Sequence, residues 1–314
     1  MENRRFIMDA HADILYRMET EHLSFFDPDS PLQLSYSKIK KAGIDLQVFA
    51  LFVDPPVTPE QHLMKLIAYI ETFRSEICKD GRMNPVITYQ EIEQNFLSHR
   101  KSALLSIEGG DFLNGDLRHL RILYLLGVRA MGLTWNNKNA IASGVGEPTD
   151  EGLTPFGRQV VEEMNRLGMV VDVSHLAPKG IEDVLQVSKL PIIASHSNAK
   201  SVYPHRRNLT DEQIASIAKQ GGVIGATFVP DFIAAKAATI DDLLRHIDRL
   251  LTVGGEDHVG LGSDFDGIEE TMVDLRSGAD YPKLIEALDK QYGSTVTDKI
   301  CGQNFLRVLK QVLK

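Results

Sequence analysis

Short apolar, β-branched runs alternate along the chain with longer stretches in which apolar residues recur every three or four positions. Side chains alternate across a strand with period two and return to one helix face about every 3.6 residues, so these patterns read as strands and amphipathic helices. The runs predict strands near 6–10, 44–53, 102–107, 128–133, 169–174, 190–195, 222–228 and 258–263. Between them lie helical segments such as EQHLMKLIAYIETFRSEI, LRHLRILYLLG, GRQVVEEMNRLG, IEDVLQVSK, DEQIASIAKQGG and DDLLRHIDRLLTVGG. Several close on glycine, which ends helices readily because it tolerates a left-handed backbone. Eight strand–helix units in succession require a parallel sheet. No break in composition, repeat or low-complexity tract interrupts them, so the expectation is a single α/β domain over 1–314, a closed (β/α)8 barrel of the TIM type.

Composition narrows the partners. The 314 residues are 43% hydrophobic and 25% charged, with a net charge of -9, and no cluster of basic residues exceeds HRRN. That balance argues against a nucleic-acid surface and favours a small-molecule partner. The opening MENRRFIMDAHAD passes into acidic residues without a long apolar stretch, so no signal peptide, membrane span or membrane partner is expected, and a cytoplasmic location follows. Cys78 and Cys301 are the only cysteines, which excludes a disulfide framework and a cysteine-based zinc motif.

A barrel of this kind gathers its chemistry at the C-terminal ends of its strands. In DAHAD, His11 and Asp13 follow the first strand and, two residues apart, share a strand face. The third strand ends at Glu108 in SIEGGD, the fifth at His175 in VVDVSH, and the sixth at His196 in IIASHSNAK. The eighth ends in GSDFDG, with Asp264 and Asp266 in a glycine-punctuated turn. Each residue alone has a plain reading: a lone histidine commonly caps or decorates a strand end, and SDFDG alone is an acidic turn. Three histidines, a glutamate and two aspartates on one rim point instead to a metal site. The remaining histidines, His62 and His246 among them, lie in polar or helical contexts and are given no role.

DAHAD, SIEGGD, LGVRAMGLTWNNKN, GLTPFGRQVVEEMNRLGMVVDVSH, PIIASHSNAKSVYPHRRNLTDEQI and GLGSDFDG, read together over about 6–270, resemble the membrane dipeptidase (renal dipeptidase) family of amidohydrolase-type barrels. The resemblance implies a zinc dipeptidase that cleaves the peptide bond with a hydroxide bridging two metals. It implies that His11 and Asp13 hold the first zinc, Glu108 bridges both, and His175 and His196 hold the second; Mn²⁺ or Co²⁺ would suit the same donors. It further implies that Asp264 moves the proton from the attacking water to the leaving nitrogen, with Asp266 in support. Arg207, rather than Arg206, would take the terminal carboxylate of the dipeptide, for which a planar guanidinium is well shaped.

One position departs from the family. Where the mammalian members carry a histidine that helps hold the reacting carbonyl oxygen, GLTWNNKN has Trp135. An indole donates one hydrogen bond and cannot become cationic. Trp135 is therefore expected either to pack against the substrate or to be a plain, partly buried aromatic at the barrel mouth, with Asn136 or Asn137 as candidates for the missing donor. Family members accept varied dipeptides, some with a D residue at the C-terminal side, and form dimers, so a homodimer is an expectation too. Two other readings stay open: another amidohydrolase reaction on an N-acyl amino acid, lactone or lactam, and a metal- or ligand-binding protein with little turnover.

Overall fold

The computed structural model describes residues 4–314. Nine strands run in chain order: β1 (Met8–Ala12), β2 (Leu46–Phe52), β3 (Met83–Pro85), β4 (Lys101–Glu108), β5 (Val128–Gly132), β6 (Val170–Asp172), β7 (Ile193–Ala194), β8 (Val223–Ala226) and β9 (Val259–Leu261). They pair in parallel in the order β1-β2-β4-β5-β6-β7-β8-β9, which gives an eight-stranded, nearly closed α/β barrel. The short β3 falls outside every predicted strand. It pairs with Lys101–Ala103 at the start of β4, while Leu105–Glu108 pair with β5.

The seam between β9 and β1 is closed largely by one side chain. The carboxylate of Asp9 accepts hydrogen bonds from the Ser263 backbone N–H at 2.8 Å and its hydroxyl at 2.6 Å. Asp13 N–H then bonds Phe265 O at 2.9 Å, and Asp264 N–H bonds His11 O at 3.1 Å. A fully buried carboxylate is costly unless such donors satisfy it. Burial pushes the Asp9 pKa up, and the bonds from Ser263 oppose that rise.

Strand alternation divides the core in two. Met8, Ala10, Leu46, Val48, Leu104, Ala130, Val170, Ile193 and Val223 pack with Phe305, Val308, Leu309 and Val312 of the helix Asn304–Val312. The opposite faces, including Phe49, Leu51, Leu105, Ile107, Met131 and Val171, pack against the surrounding helices. Asn304 Nδ2 donates to Val259 O at 2.7 Å and Arg307 Nη1 to Gly221 O at 2.6 Å, so this helix plugs the N-terminal end of the barrel. Gly260 makes room for the plug: a Cβ there would lie 2.3 Å from the Phe305 ring.

All eight predicted strands occur, several of them shorter. The run at 190–195 leaves only Ile193–Ala194 in the sheet, consistent with Pro191, which has no N–H for a ladder. The first strand is displaced to Met8–Ala12, so His11 lies within it, and Asp13 follows with φ -94° and ψ 37°. The expected shared strand face of His11 and Asp13 is therefore absent. Helices Tyr36–Ala42, Tyr89–Leu97 and Tyr281–Asp298 were not among the predicted segments, although the Thr88/Glu91 capping box of the second is visible in the sequence. Among the described residues, no helix is long and apolar enough to cross a membrane.

Phe305→Ala is expected to cost about 3–5 kcal/mol, as removal of a fully buried phenylalanine does. Urea unfolding with an unchanged m-value checks this; a loss below about 1 kcal/mol would show that the helix does not seal the barrel.

Candidate metal centre and substrate cavity

Local backbone irregularities aim the polar side chains. Asp9 pairs with Gln47 and Ala12 with Phe49, so β1 spends three steps where β2 spends two. The extra residue reorients the strand, as bulges do. It leaves Met8 and Ala10 in the barrel interior, Ala12 outside, and His11 turned toward His196, with ring centroids 4.0 Å apart. Asp13 occupies the N-cap of helix Ile14–Thr20 but makes no capping bond; its carboxylate turns to His11 instead. His175 (φ 67°), Asp264 (φ 64°) and Asp266 (φ 66°) all adopt left-handed backbone, uncommon outside glycine and often found where a site imposes it.

These elements bring together His11, Asp13, Glu108, His175, His196 and Asp264. His11 Nε2 lies 3.4 Å from Asp13 Oδ2, 3.5 Å from Glu108 Oε2 and 3.8 Å from Asp264 Oδ1. On the other side of Glu108, Oε1 is 2.8 Å from His175 Nε2 and 3.7 Å from His196 Nε2. Three groups offer ligand atoms within 4.8 Å of one another: His11–Asp13–Glu108, Glu108–His175–His196 and His11–His196–Asp264. Glu108 belongs to the first two.

Hydrogen bonds fix the tautomers. Asn136 Oδ1 lies 2.9 Å from His175 Nδ1 and Ser195 Oγ 2.8 Å from His196 Nδ1. The Ser195 hydroxyl donates to Asp172, whose other oxygen accepts from Ser174 and Ser195 N–H at 3.0 Å each. The serine oxygen thus accepts from His196 Nδ1–H, and the asparagine oxygen from His175 Nδ1–H. Both Nε2 lone pairs are left facing each other at 2.9 Å, beside Glu108 Oε1. Three electron-pair donors at one point need a cation. His11 Nδ1 and Nε2 and Asp13 Oδ1 are also buried without a hydrogen-bond partner, a costly arrangement unless a ligand satisfies it. Donors that are all nitrogen or carboxylate oxygen fit Zn²⁺ and similar divalent ions.

The electrostatics agree. Burial, helped by the Arg207 charge, pushes His175 down to about 4. Burial, with His11 and Arg207, holds His196 well below the ordinary histidine value, so both imidazoles are neutral and ready to ligate. His11 is held well above its ordinary value because Glu108 and Asp13 outweigh burial. Glu108, despite burial, is held well below its own by His11 and His175. Burial and the neighbouring Asp13 and Glu108 push Asp264 up to about 8, opposed by His11 and Arg207.

Above the cluster lies a cavity of about 200 Å³ whose walls include Tyr16, Phe52, Trp135, Arg207, Phe232 and Asp264. Gly267 clears its rim: a Cβ there would stand 2.3 Å from Asp13 Oδ2 and 3.1 Å from Asp264 Oδ1. Arg207 is buried, with Nη2 donating to His196 O at 3.2 Å and Nε without a partner, whereas Arg206 is exposed. Trp135 is half-buried, with its ring centroid 5.3 Å from that of Phe52 and 6.2 Å from that of His175. Asn136 serves His175, and Asn137 is exposed.

Asp266 faces away from the cavity. Its oxygens accept Gln33 N–H at 2.6 Å and Leu34 N–H at 3.0 Å, so it anchors a neighbouring loop rather than sharing the face of Asp264. Sequence reading missed the Asp172–Ser195 support of His196, although the aspartate stands three residues before His175 in VVDVSH. It also passed over buried His246, which accepts Ala199 N–H at 3.2 Å and bonds Ile233 O at 3.0 Å, tying the loop that carries Arg207 to the short helix Pro230–Ile233 that carries Phe232.

Known proteins resemble this chain in sequence and fold. The model of the membrane dipeptidase family (peptidase family M19) matches residues 1–314. An uncharacterized dipeptidase of Schizosaccharomyces pombe is 33% identical, covering 97% of this chain and 80% of that protein. An uncharacterized protein of the pqqA 5′ region of Klebsiella pneumoniae is 39% identical over 74% of this chain and 90% of its own length. A crystal structure of a metallopeptidase from Rhodobacter sphaeroides, liganded with a phosphinate mimic of the dipeptide L-Ala-D-Ala, superposes with a TM-score of 0.92 at 29% identity, covering 98% of this chain and 100% of that one. The chain therefore belongs to the membrane dipeptidase family, peptidase family M19, and is a hydrolase of the metallodipeptidase class on an α/β barrel.

Proposed function

We propose that the protein hydrolyses dipeptides with a free C-terminal carboxylate, using two divalent cations, zinc in the first instance. His11, Asp13 and Glu108 would hold one and Glu108, His175 and His196 the other, the grouping in which Glu108 is shared. The chemistry such cations supply is polarisation of the scissile carbonyl and access to hydroxide at neutral pH. The observation that carries the substrate reading is Arg207, a buried guanidinium with an unpartnered Nε in the wall of the cavity over the cluster. A buried charge without a carboxylate partner is costly, and a substrate carboxylate would satisfy it. The phosphinate mimic of L-Ala-D-Ala bound by the Rhodobacter sphaeroides relative supports a ligand of that size and charge.

The chain's own side chains divide the remaining work. Asn136 and Ser195 keep His175 and His196 in the ligating tautomer. Asp264 has the most exposed of the three cluster carboxylates, 16% against 3% for Asp13 and 8% for Glu108. With cations held in the cluster its carboxyl would be ionised, and it would then take a proton from the attacking water at its carboxylate oxygen and return it to the departing amine. Phe52, Trp135 and Phe232 wall the cavity and limit water around the reacting bond.

Dipeptides with free and amidated C-termini, N-acyl amino acids, lactones and lactams, assayed with added zinc, test the reading. Free dipeptides should be the best substrates. Arg207→Lys should raise KM for them by about 10-fold or more and Arg207→Met by more still, while Arg206→Met stays within about twofold. Equal turnover of amidated and free dipeptides would contradict the carboxylate assignment, and preference for a lactone or lactam would replace the substrate class.

Asp264→Asn should lower kcat by about 10²–10⁴-fold with metal content and binding of a phosphinate dipeptide analogue retained. Normal turnover would remove Asp264 from proton transfer; loss of metal would make it chiefly a ligand.

A further inference from the structure

The turn that carries Asp264 is held from outside the barrel. Asp264 and Asp266 both adopt left-handed backbone, at φ 64° and 66°. Residues with a Cβ disfavour that conformation and keep it only where the surroundings impose it. At Asp264 the barrel and the turn itself do so: its N–H bonds His11 O at 3.1 Å, and its carbonyl accepts Gly267 N–H at 3.2 Å.

Asp266 is fixed by the loop that precedes helix Tyr36–Ala42. Its carboxylate takes Gln33 N–H on one oxygen and Leu34 N–H on the other, and its own N–H donates back to Gln33 Oε1 at 2.7 Å. Gln33 Nε2 then donates to Ile268 O at 2.9 Å. The half-buried amide of Gln33 thus clamps both ends of Asp266–Ile268, its oxygen on the first N–H and its nitrogen on the last carbonyl. The clamp has a firm base. Gln33 O accepts Gly278 N–H at 2.9 Å, and Lys38 Nζ donates to Ser30 O at 3.1 Å and to Leu32 O. Leu34 is buried so tightly that a Cβ on Gly278 would lie 2.4 Å from its Cδ1.

Little slack exists between this turn and the cluster. Gly267, inside the clamped stretch, lies against the carboxylates of both Asp13 and Asp264, and Asp264 Oδ1 stands 3.8 Å from His11 Nε2. We propose that Gln33 is a positioning residue for Asp264: through Asp266 and Gly267 it holds the Asp264 carboxylate in register with the reacting bond. The proposal rests on the reading of Asp264 as the proton-transfer group. Gln33 is not in the walls of the cavity and is none of the clustered ligand residues, so its influence falls on the chemical step and leaves substrate and metal binding alone. A displacement of about 1 Å at a reacting group can cost about 10²-fold in rate.

The test uses the metal-loaded full chain. Gln33→Met keeps the length of the side chain and removes the amide that forms the clamp. Its kcat should fall by about 10-fold or more, with KM, zinc content and affinity for a phosphinate dipeptide analogue within about twofold of wild type. In an Asp264→Asn background the same substitution should change kcat by less than about twofold, because its effect runs through the missing carboxylate. A general loosening of the fold would instead subtract the same factor again. Hydrogen exchange on the metal-free chains should quicken at the Asp264–Gly267 amides in Gln33→Met and stay unchanged in β6. Gln33→Ala, which lacks the same amide, should repeat each result, so a misplaced methionine cannot produce them. Full kcat in both Gln33 variants, or equal losses with and without Asp264, overturns the positioning role while a slow Asp264→Asn leaves the proton-transfer reading standing. Normal turnover of Asp264→Asn would overturn both.

Discussion

His175 Nε2, His196 Nε2 and Glu108 Oε1 converge with their electron pairs turned inward, and the rest of the site follows from that constraint. Without a positive charge among them these donors repel one another in a dry, low-dielectric setting where repulsion is strong. The two imidazoles cannot relieve the conflict by turning, because Asn136 and Ser195 engage their other nitrogens. On the opposite side of Glu108, His11 and Asp13 leave three buried polar atoms unpartnered. Such a constellation is costly unless a cation completes it, which accords with a metallopeptidase.

The barrel supplies what holds the donors in conflict. Its N-terminal end is apolar and sealed by Phe305 and its neighbours, so packing energy accumulates away from the chemistry. The C-terminal rim carries the irregularities: the extra residue in β1, the left-handed backbone at His175 and Asp264, and an N-cap aspartate that caps nothing. Asp9 links the two regimes, since its bonds to Ser263 close the seam and set the turn that carries Asp264. Buried Arg207 adds a positive charge to the wall of the cavity over the cluster.

Much of this was legible in the chain. Alternating hydrophobic patterns are governed by local geometry, and they located all eight barrel strands; strand ends in a barrel are fixed by topology, so the ligand-type residues could be gathered before any coordinate was known. What depended on pairing between strands was not legible. The bulge in β1 exists only relative to β2, so the shared face expected for His11 and Asp13 gave way to a strand histidine and a helix-cap aspartate meeting from different backbone directions. Asp264 and Asp266 look equivalent in GSDFDG, and only the Gln33–Leu34 loop, over 230 residues away in sequence, decides that the second turns aside.

The shared role of Glu108 is the claim on which the metal chemistry rests, and metal stoichiometry tests it most directly. Elemental analysis after zinc loading and gel filtration, made on the wild type and on Glu108→Gln with circular dichroism to verify folding, should find two zinc ions per wild-type chain. The glutamine variant, which offers a single neutral oxygen, should be folded and retain at most one. Two tightly held ions in Glu108→Gln, or a single ion in the wild type, would contradict a centre in which one carboxylate serves both sides.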